Sequence, residues 1–323
     1  MKEAVVGIDI GGTFTKFGII DRLGNVLMEG SVPTDQTDDF RVYLASLTSA
    51  VDKAITEMGA SVSIKGVGVG APNGNFKSGS IEYAANLDWA RDKVIPLVTI
   101  LQEHFKVPAA VTNDANAAAI GEMIFGGAKG LKDFILITLG TGLGSGVVVN
   151  GELVYGHNGF AGELGHIRAE MGDSRKCGCG LTGCLETFVS APGIKRTVFE
   201  LLAKYNGNSE LSKYSFDQLN SEMIYQAATR GDKVALEAFR ITGEVLGVKL
   251  ADAVHVTAPE KIFVFGGLAK SGDYILKPTR ESFEKSLLKV WQGKVPIELS
   301  KLAEGNVAIM GASALIWQEL NKQ

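Results

Sequence analysis

AVVGIDIGGTFTKFGIIDRLGNVL, residues 4–27, and FILITLGTGLGSGVVVNGELV, residues 134–154, share one plan. Each is an apolar strand that runs into a Gly/Thr loop, Gly11, Gly12 and Thr13 in the first and Gly140 to Gly144 in the second. A second apolar strand follows, then a tight turn, Gly24–Asn25 or Asn150–Gly151, and a third strand. An internal duplication is the simplest reading, with one mixed sheet per half.

Outward from the first copy, Asp38 or Asp39 can cap a helix whose apolar positions Phe40, Tyr43, Leu44, Leu47, Val51, Ile55 and Met58 recur at three and four, with Gly59 to end it. Strands are expected at 64–70 and 109–112. After the second copy the pattern predicts helices at 192–205, 217–229 and 232–257, a buried strand at 262–265 and a closing helix from about 307. This alternation indicates α/β architecture with mixed sheets. A chain of 323 residues exceeds the size at which single cores stop growing, so two domains are expected. Residues 1–114 plus about 307–323 would form a small N-terminal α/β domain, and 115–306 a large one. No low-complexity linker separates them, and a ligand is expected in the inter-domain cleft.

Composition excludes several classes. A hydrophobic share of 46%, a charged share of 21% and a formal net charge of -4 give no basic footprint, so no nucleic-acid partner is expected. No apolar run approaches the roughly 18 residues of a membrane span, and MKEAVVGIDIGGT has no leader-like cleavage region. The three cysteines fall in one window, which suits a reducing, cytoplasmic compartment and thiolates with a local task.

Strand ends carrying Gly and Thr present backbone N–H groups and a hydroxyl at close range, and two such loops would clamp a triphosphate. Each alone could equally be a hairpin turn. Asp9, between Ile8 and Ile10, and Lys16 just beyond the loop favour nucleotide binding. Asp9 needs a partner on an apolar strand, either a magnesium ion held directly or through water, or the loop amides it could cap. In VTNDANAAA, residues 111–119, Asn113 and Asp114 stand where a strand meets a helix, the end of an α/β sheet at which ligands bind. A carboxylate there can take the proton of an attacking hydroxyl, or it can serve as an N-cap.

GELGHIRAEMGDSRKCGCGLTGCLE puts ten residues between His166 and Cys177, one between Cys177 and Cys179, and four between Cys179 and Cys184. Four such ligands among glycines match a closed, structural zinc site in segment 166–184. Glu163 and Glu186 flank it and could accept hydrogen bonds from sugar hydroxyls, or lie on the surface. His166 would give one ring nitrogen to the metal and the other to ligand or carboxylate. Asn86 in AANLDW could add a polar contact, and Gly266 and Gly267 could offer bare backbone to adenine and ribose. A loop asparagine and a strand-to-helix turn are the plainer alternatives.

DIGGTFTK, VTNDANAAA, LGTGLGSGVVVNGELVYGHNGFAGELGHI and CGCGLTGCLE together resemble the ROK family (repressors, open reading frames and kinases), and its bacterial glucokinase branch most, over nearly the whole chain. The resemblance implies a two-domain, actin-like (ribonuclease H-like) ATPase fold, ATP and Mg2+ as cofactors, and structural Zn2+. It implies Asp114 as catalytic base, with Asn86, Asn113, Glu163, His166 and Glu186 on the sugar. His166, Cys177, Cys179 and Cys184 would bind zinc, Gly11, Thr13, Thr141 and Gly142 phosphates, and Gly266 and Gly267 would lie near adenosine. It further implies a hexose acceptor, glucose first, and a homodimer or homotetramer. N-acetylmannosamine, N-acetylglucosamine, fructose and allose are the alternative acceptors. GAPNGNF departs from the family at Asn73, where many relatives carry glycine, and this bears on sugar selectivity. A sugar-responsive regulator would carry a DNA-binding segment ahead of the first strand, for which few residues remain. A chaperone- or actin-like ATPase would have no reason to carry the zinc knuckle.

Overall fold

In a computed structural model that describes residues 1–172, 174–302 and 307–322, the first meander forms β1 (Lys2–Ile10), β2 (Phe14–Asp21) and β3 (Val26–Pro33). Helix α1 (Phe40–Met58) follows, capped by Asp39 and closed at Gly59, as its pattern predicted. Next come β4 (Val62–Ala71), a small antiparallel sheet of β5 (Gly74–Asn75), β6 (Ser80–Glu82) and β7 (Val94–Ile95), α2 (Leu97–Phe105), β8 (Ala109–Asn113) and α3 (Asp114–Phe125). The first large sheet has the order β3-β2-β1-β4-β8, antiparallel through the meander and parallel from β1 onward.

The second meander is β9 (Phe134–Leu139), β10 (Leu143–Val149) and β11 (Glu152–Leu153). Helices α4 (Ala191–Lys204), α5 (Ser221–Thr229) and α6 (Lys233–Thr257) lead to β12 (Lys261–Phe265), α7 (Asp273–Ser286), β13 (Ile297–Leu299) and the last helix, α8 (Val307–Leu320). The second sheet runs β11-β10-β9-β12-β13, with β12 parallel to both β9 and β13. The same strand order in both sheets is the duplication read from the two Gly/Thr meanders.

Two compact units result. One holds residues 1–131, 153–162 and 301–323, and the other 132–152 and 163–300. The first therefore extends past the boundary expected at residue 114, because α3 packs on α8 beside the first sheet. It also takes back a strap, in which Tyr155 stacks on Phe76 at 4.4 Å and Asn75 donates to the Asn158 carbonyl at 2.9 Å.

Alternation along β1 fixes what its two faces meet. Ala4, Val6, Ile8 and Ile10 join Tyr43, Leu47 and Val51 of α1 in one core. Val5 joins Ala314, Leu315 and Ile316 of α8 in another. On that second face Gly7 and its neighbour Gly68 leave bare backbone. A Cβ on them would stand 2.2 Å from the Ile309 carbonyl oxygen and 1.8 Å from that of Ala312, so α8 lies directly on the strands. Asp9, two residues on from Gly7, shares this face.

One element starts elsewhere than the sequence reading placed it, and two lie outside that reading. Helix α5 begins at Ser221 with Asn220 as its cap rather than at Asp217. Helix α7 runs through Pro278, whose ring fits over Gly243 of α6. Helix α2 buries Leu97 and Leu101 alone, too short a stripe to read as periodic.

Candidate functional site

In the first unit, the β1–β2 register sets Asp9 opposite Lys16, and the β1–β4 register sets it beside Gly70. The loop between β1 and β2 folds tightly, Gly11 N–H donating to the Phe14 carbonyl at 3.1 Å, while Gly12 and Thr13 stay exposed. The Thr13 carbonyl accepts from the Thr34 amide at 2.8 Å. Burial, and then the Asp114 charge, push the Asp9 carboxyl up to about 7 against the pull of Lys16. A cation beside Asp9 would reverse that shift, so its chemistry suits a magnesium partner.

Asn113 ends β8 and caps α3, its Oδ1 accepting from the Ala115 amide at 2.9 Å. The capping role is thus real for Asn113, and its side-chain N–H2 still points donors elsewhere. Asp114 opens the helix and also accepts from Ala115, at 2.7 Å. Its side chain is reachable by solvent yet crowded by protein, and the lost hydration raises its pKa in spite of that amide. Asn86 lies exposed in a turn pinned by buried Leu87 and Trp89. Its carbonyl backs the β1–β2 loop, 3.3 Å from where a Gly12 Cβ would be.

In the second unit, Thr141 is exposed at the tip of the β9–β10 loop, where Gly140 N–H donates to the Gly142 carbonyl at 3.0 Å. Gly266 follows β12 with φ of 109°, and a Cβ there would meet the Leu139 carbonyl oxygen at 2.4 Å. That contact sets the Gly266–Gly267 turn beside the root of the Thr141 loop. Gly267 is exposed, with open space where a Cβ would be.

The metal-binding spacing closes in three dimensions. One ligand atom from each of His166, Cys177, Cys179 and Cys184 lies within 4.8 Å of the others. The Cys179 and Cys184 sulfurs are 3.7 Å apart, and Cys177 Sγ is 3.8 Å from His166 Nδ1. A tetrahedron with Zn–S bonds of about 2.3 Å has edges of about 3.8 Å, so the four residues fit zinc. His166 turns Nδ1 to the sulfurs and Nε2 to Glu163, whose Oε2 is 4.0 Å away. Burial and the Glu186 carboxylate push the Cys177 thiol up, so a metal bound there would displace its proton.

Glu186 joins two parts of this unit. Oε1 accepts from Cys177 Sγ at 2.9 Å, and Oε2 lies 3.4 Å from the Leu143 amide and 2.7 Å from where a Gly142 Cβ would stand. Arg175, which the sequence did not single out, anchors the knuckle to α4. It donates to the Thr187 carbonyl at 2.8 Å and to Thr197 Oγ1 at 3.0 Å, and stacks over Phe188. An arginine inside a Cys/Gly loop carries no sequence signal for such a role.

Paired sheets of one topology, each ending in a Gly/Thr loop, define an actin-like ATPase fold, and the comparisons agree. The ROK family model matches residues 5–319, and the chain belongs to the ROK family. A glucokinase of Halalkalibacterium halodurans is 35% identical over 319 residues, covering 98% of this chain and 96% of that protein. The crystal structure of a ROK family glucokinase from Streptomyces griseus, in complex with glucose and AMPPNP, aligns with a TM-score of 0.78 at 32% identity, covering 98% and 99% of the two chains. A xylose repressor of Caldicellulosiruptor bescii is 29% identical over 319 residues, 98% of this chain and 79% of the repressor.

Proposed function

We propose that this chain is an ATP-dependent sugar kinase that phosphorylates a hexose, with glucose and its 6-hydroxyl the foremost acceptor. The observation that carries the reading is Asp114, a solvent-reachable carboxylate at the strand-to-helix junction whose poorly hydrated charge makes it a better base. The sugar hydroxyl gives its proton to Asp114 as its oxygen bonds to the γ-phosphorus, and the bond to the β-phosphate oxygen breaks to release ADP. Asn86, Asn113, Glu163, His166 and Glu186 orient the sugar through its hydroxyls. Backbone N–H groups of Gly12, Thr13, Thr141 and Gly142, with Lys16, receive the phosphates, and Gly11, its own N–H spent on the Phe14 carbonyl, lets them approach the backbone. Gly266 and Gly267 leave room for adenosine.

Mg2+ held by Asp9, directly or through water, supplies charge neutralisation when bound. Zinc held by His166, Cys177, Cys179 and Cys184 supplies rigidity to the knuckle that carries Glu186. The cluster of free cysteines favours a cytoplasmic setting, and among the described residues no helix is long and apolar enough to cross a membrane. Kinship with glucokinases further favours a homodimer or homotetramer, which sedimentation would test.

Measuring ADP release from ATP with glucose, N-acetylmannosamine, N-acetylglucosamine, fructose and allose tests the proposal. Sugar-dependent turnover with glucose fastest is expected, and faster turnover of another sugar would reassign the acceptor. The likeness to a xylose repressor supports a second reading, a sugar-responsive regulator. Sugar binding with no turnover of any member of the panel would favour it.

A further inference from the structure

Beneath the phosphate loop of the first unit runs a closed circuit of contacts. Thr34 donates its amide to the Thr13 carbonyl at 2.8 Å. Its hydroxyl lies 2.8 Å from that of Thr15, which lies 2.7 Å from the Tyr43 hydroxyl. The Tyr43 ring stacks on Trp89, with centroids 4.6 Å apart and planes at 17°. Trp89 anchors the turn that bears Asn86, and the Asn86 carbonyl returns to Gly12. Thr13 and Asn86, which the reading above gives to nucleotide and sugar, are thus the two ends of one run of contacts, through backbone at Thr13 and Asn86 and through side chains from Thr34 to Trp89.

The circuit is dry, with Thr15 at 0%, Tyr43 at 1%, Trp89 at 1% and Thr34 at 2% exposure. In such surroundings a hydroxyl that loses its partner leaves a buried polar group unsatisfied, so the three hydroxyls move together or not at all. Among the described residues Trp89 Nε1 has no hydrogen-bond partner, so the indole takes its position from packing against Tyr43 rather than from a polar tether. A shift of the Thr13 backbone therefore passes through Thr34, Thr15 and Tyr43 to the Asn86 turn.

We infer that Tyr43 is a positioning residue that ties the phosphate loop to the Asn86 turn, so that nucleotide and sugar binding are thermodynamically coupled. This rests on the kinase reading and adds a route for communication inside one unit. Tyr43 touches neither substrate. Its hydroxyl acts through Thr15 and Thr34, and its ring acts through Trp89.

The test is calorimetric titration of the chain with glucose, with and without saturating Mg2+ and the non-hydrolysable analogue AMPPNP, and the reciprocal titration. In the wild type each ligand should tighten the other's Kd about fivefold or more, by the same factor in both directions. Tyr43→Phe keeps the stacked ring and removes the hydroxyl. It should retain the wild-type circular dichroism spectrum and bind each ligand alone, with the coupling factor falling towards one. Thr15→Val should do the same from the other side of the hydrogen bond, a result that a merely destabilised fold would not give. Full coupling in both variants, or independent binding in the wild type, overturns the inference while leaving the kinase reading intact. A wild type that binds neither ligand removes the kinase reading and the coupling with it.

Discussion

Asp9 and Asp114 flank the bare backbone of Gly70: a Cβ on that glycine would stand 4.0 Å from Asp9 Oδ1 and 3.6 Å from the Asp114 Cα. Burial, with the charge of Asp114 at the start of α3 nearby, holds Asp9 at about 7. The arrangement joins the two sequence motifs of the first unit, the strand with Asp9 and the junction with Asp114, into one electrostatic centre.

Replacing Asp114 with Asn removes the proton acceptor and keeps the shape. Turnover should fall by about 10²- to 10⁴-fold while the sugar Kd stays within a few-fold. Steady-state ADP release and calorimetry check this, and near-normal turnover would take Asp114 out of its proposed role.

Asp9 should make the ligand-free chain less stable at alkaline than at acid pH. Its folded pKa lies above the unfolded value of about 4, so its contribution is fully present below about pH 4 and is lost as pH rises through about 7. Asp9→Asn cannot ionise, and should raise the Tm of the ligand-free chain at pH 8 while leaving it little changed at pH 4. An equal shift at both pH values would mean that ionisation of Asp9 is not the cause.

About one zinc per chain is expected in metal analysis of the purified protein. Cys184→Ser should bring that close to zero, lower the Tm, and raise the sugar KM more than the ATP KM, because Glu186 lies two residues along the same loop. Retention of a full equivalent of metal would contradict the four-ligand site.

Asn73 explains itself through its backbone. It sits at φ of 51°, and its Nδ2 donates to the Glu82 carbonyl at 2.9 Å and more weakly to that of Tyr83. Glycine accepts this conformation freely, so Asn73→Gly should cost no more than about 1 kcal/mol, whereas Asn73→Val adds strain of about 1–3 kcal/mol. Denaturant unfolding measures both. Sugar preference should be unchanged in Asn73→Gly, since the amide is spent on the turn, and an altered ranking in the sugar panel would restore its part in selectivity.

Much of this was written where backbone and chemistry coincide. The Gly/Thr meanders revealed the duplicated sheets, because alternation and turn residues are local signals. The His166 and cysteine spacing announced the cluster of four side chains, since four such residues within nineteen leave few geometries. What stayed hidden depends on contacts distant in sequence. The hydroxyls of Thr15, Thr34 and Tyr43 meet only when α1 lies on the sheet, and Arg175 acquires its role only once α4 is beside it. Likewise the strap at 153–162 belongs to the first unit through Asn75 and Phe76, about 80 residues earlier in the chain. Helix α7 carries a proline, Pro278, which by itself reads as a helix end, and only the facing Gly243, distant in sequence, makes room for its ring.

The seating of α8 on Gly7 and Gly68 has a consequence for how the polypeptide is made. Translation delivers β1 before, and α8 after, every strand and helix of the second unit, so the ribosome releases the β1 sheet with one side still uncovered. Val5 and its neighbours remain wet until α8 has emerged, and the second unit can finish folding before the first.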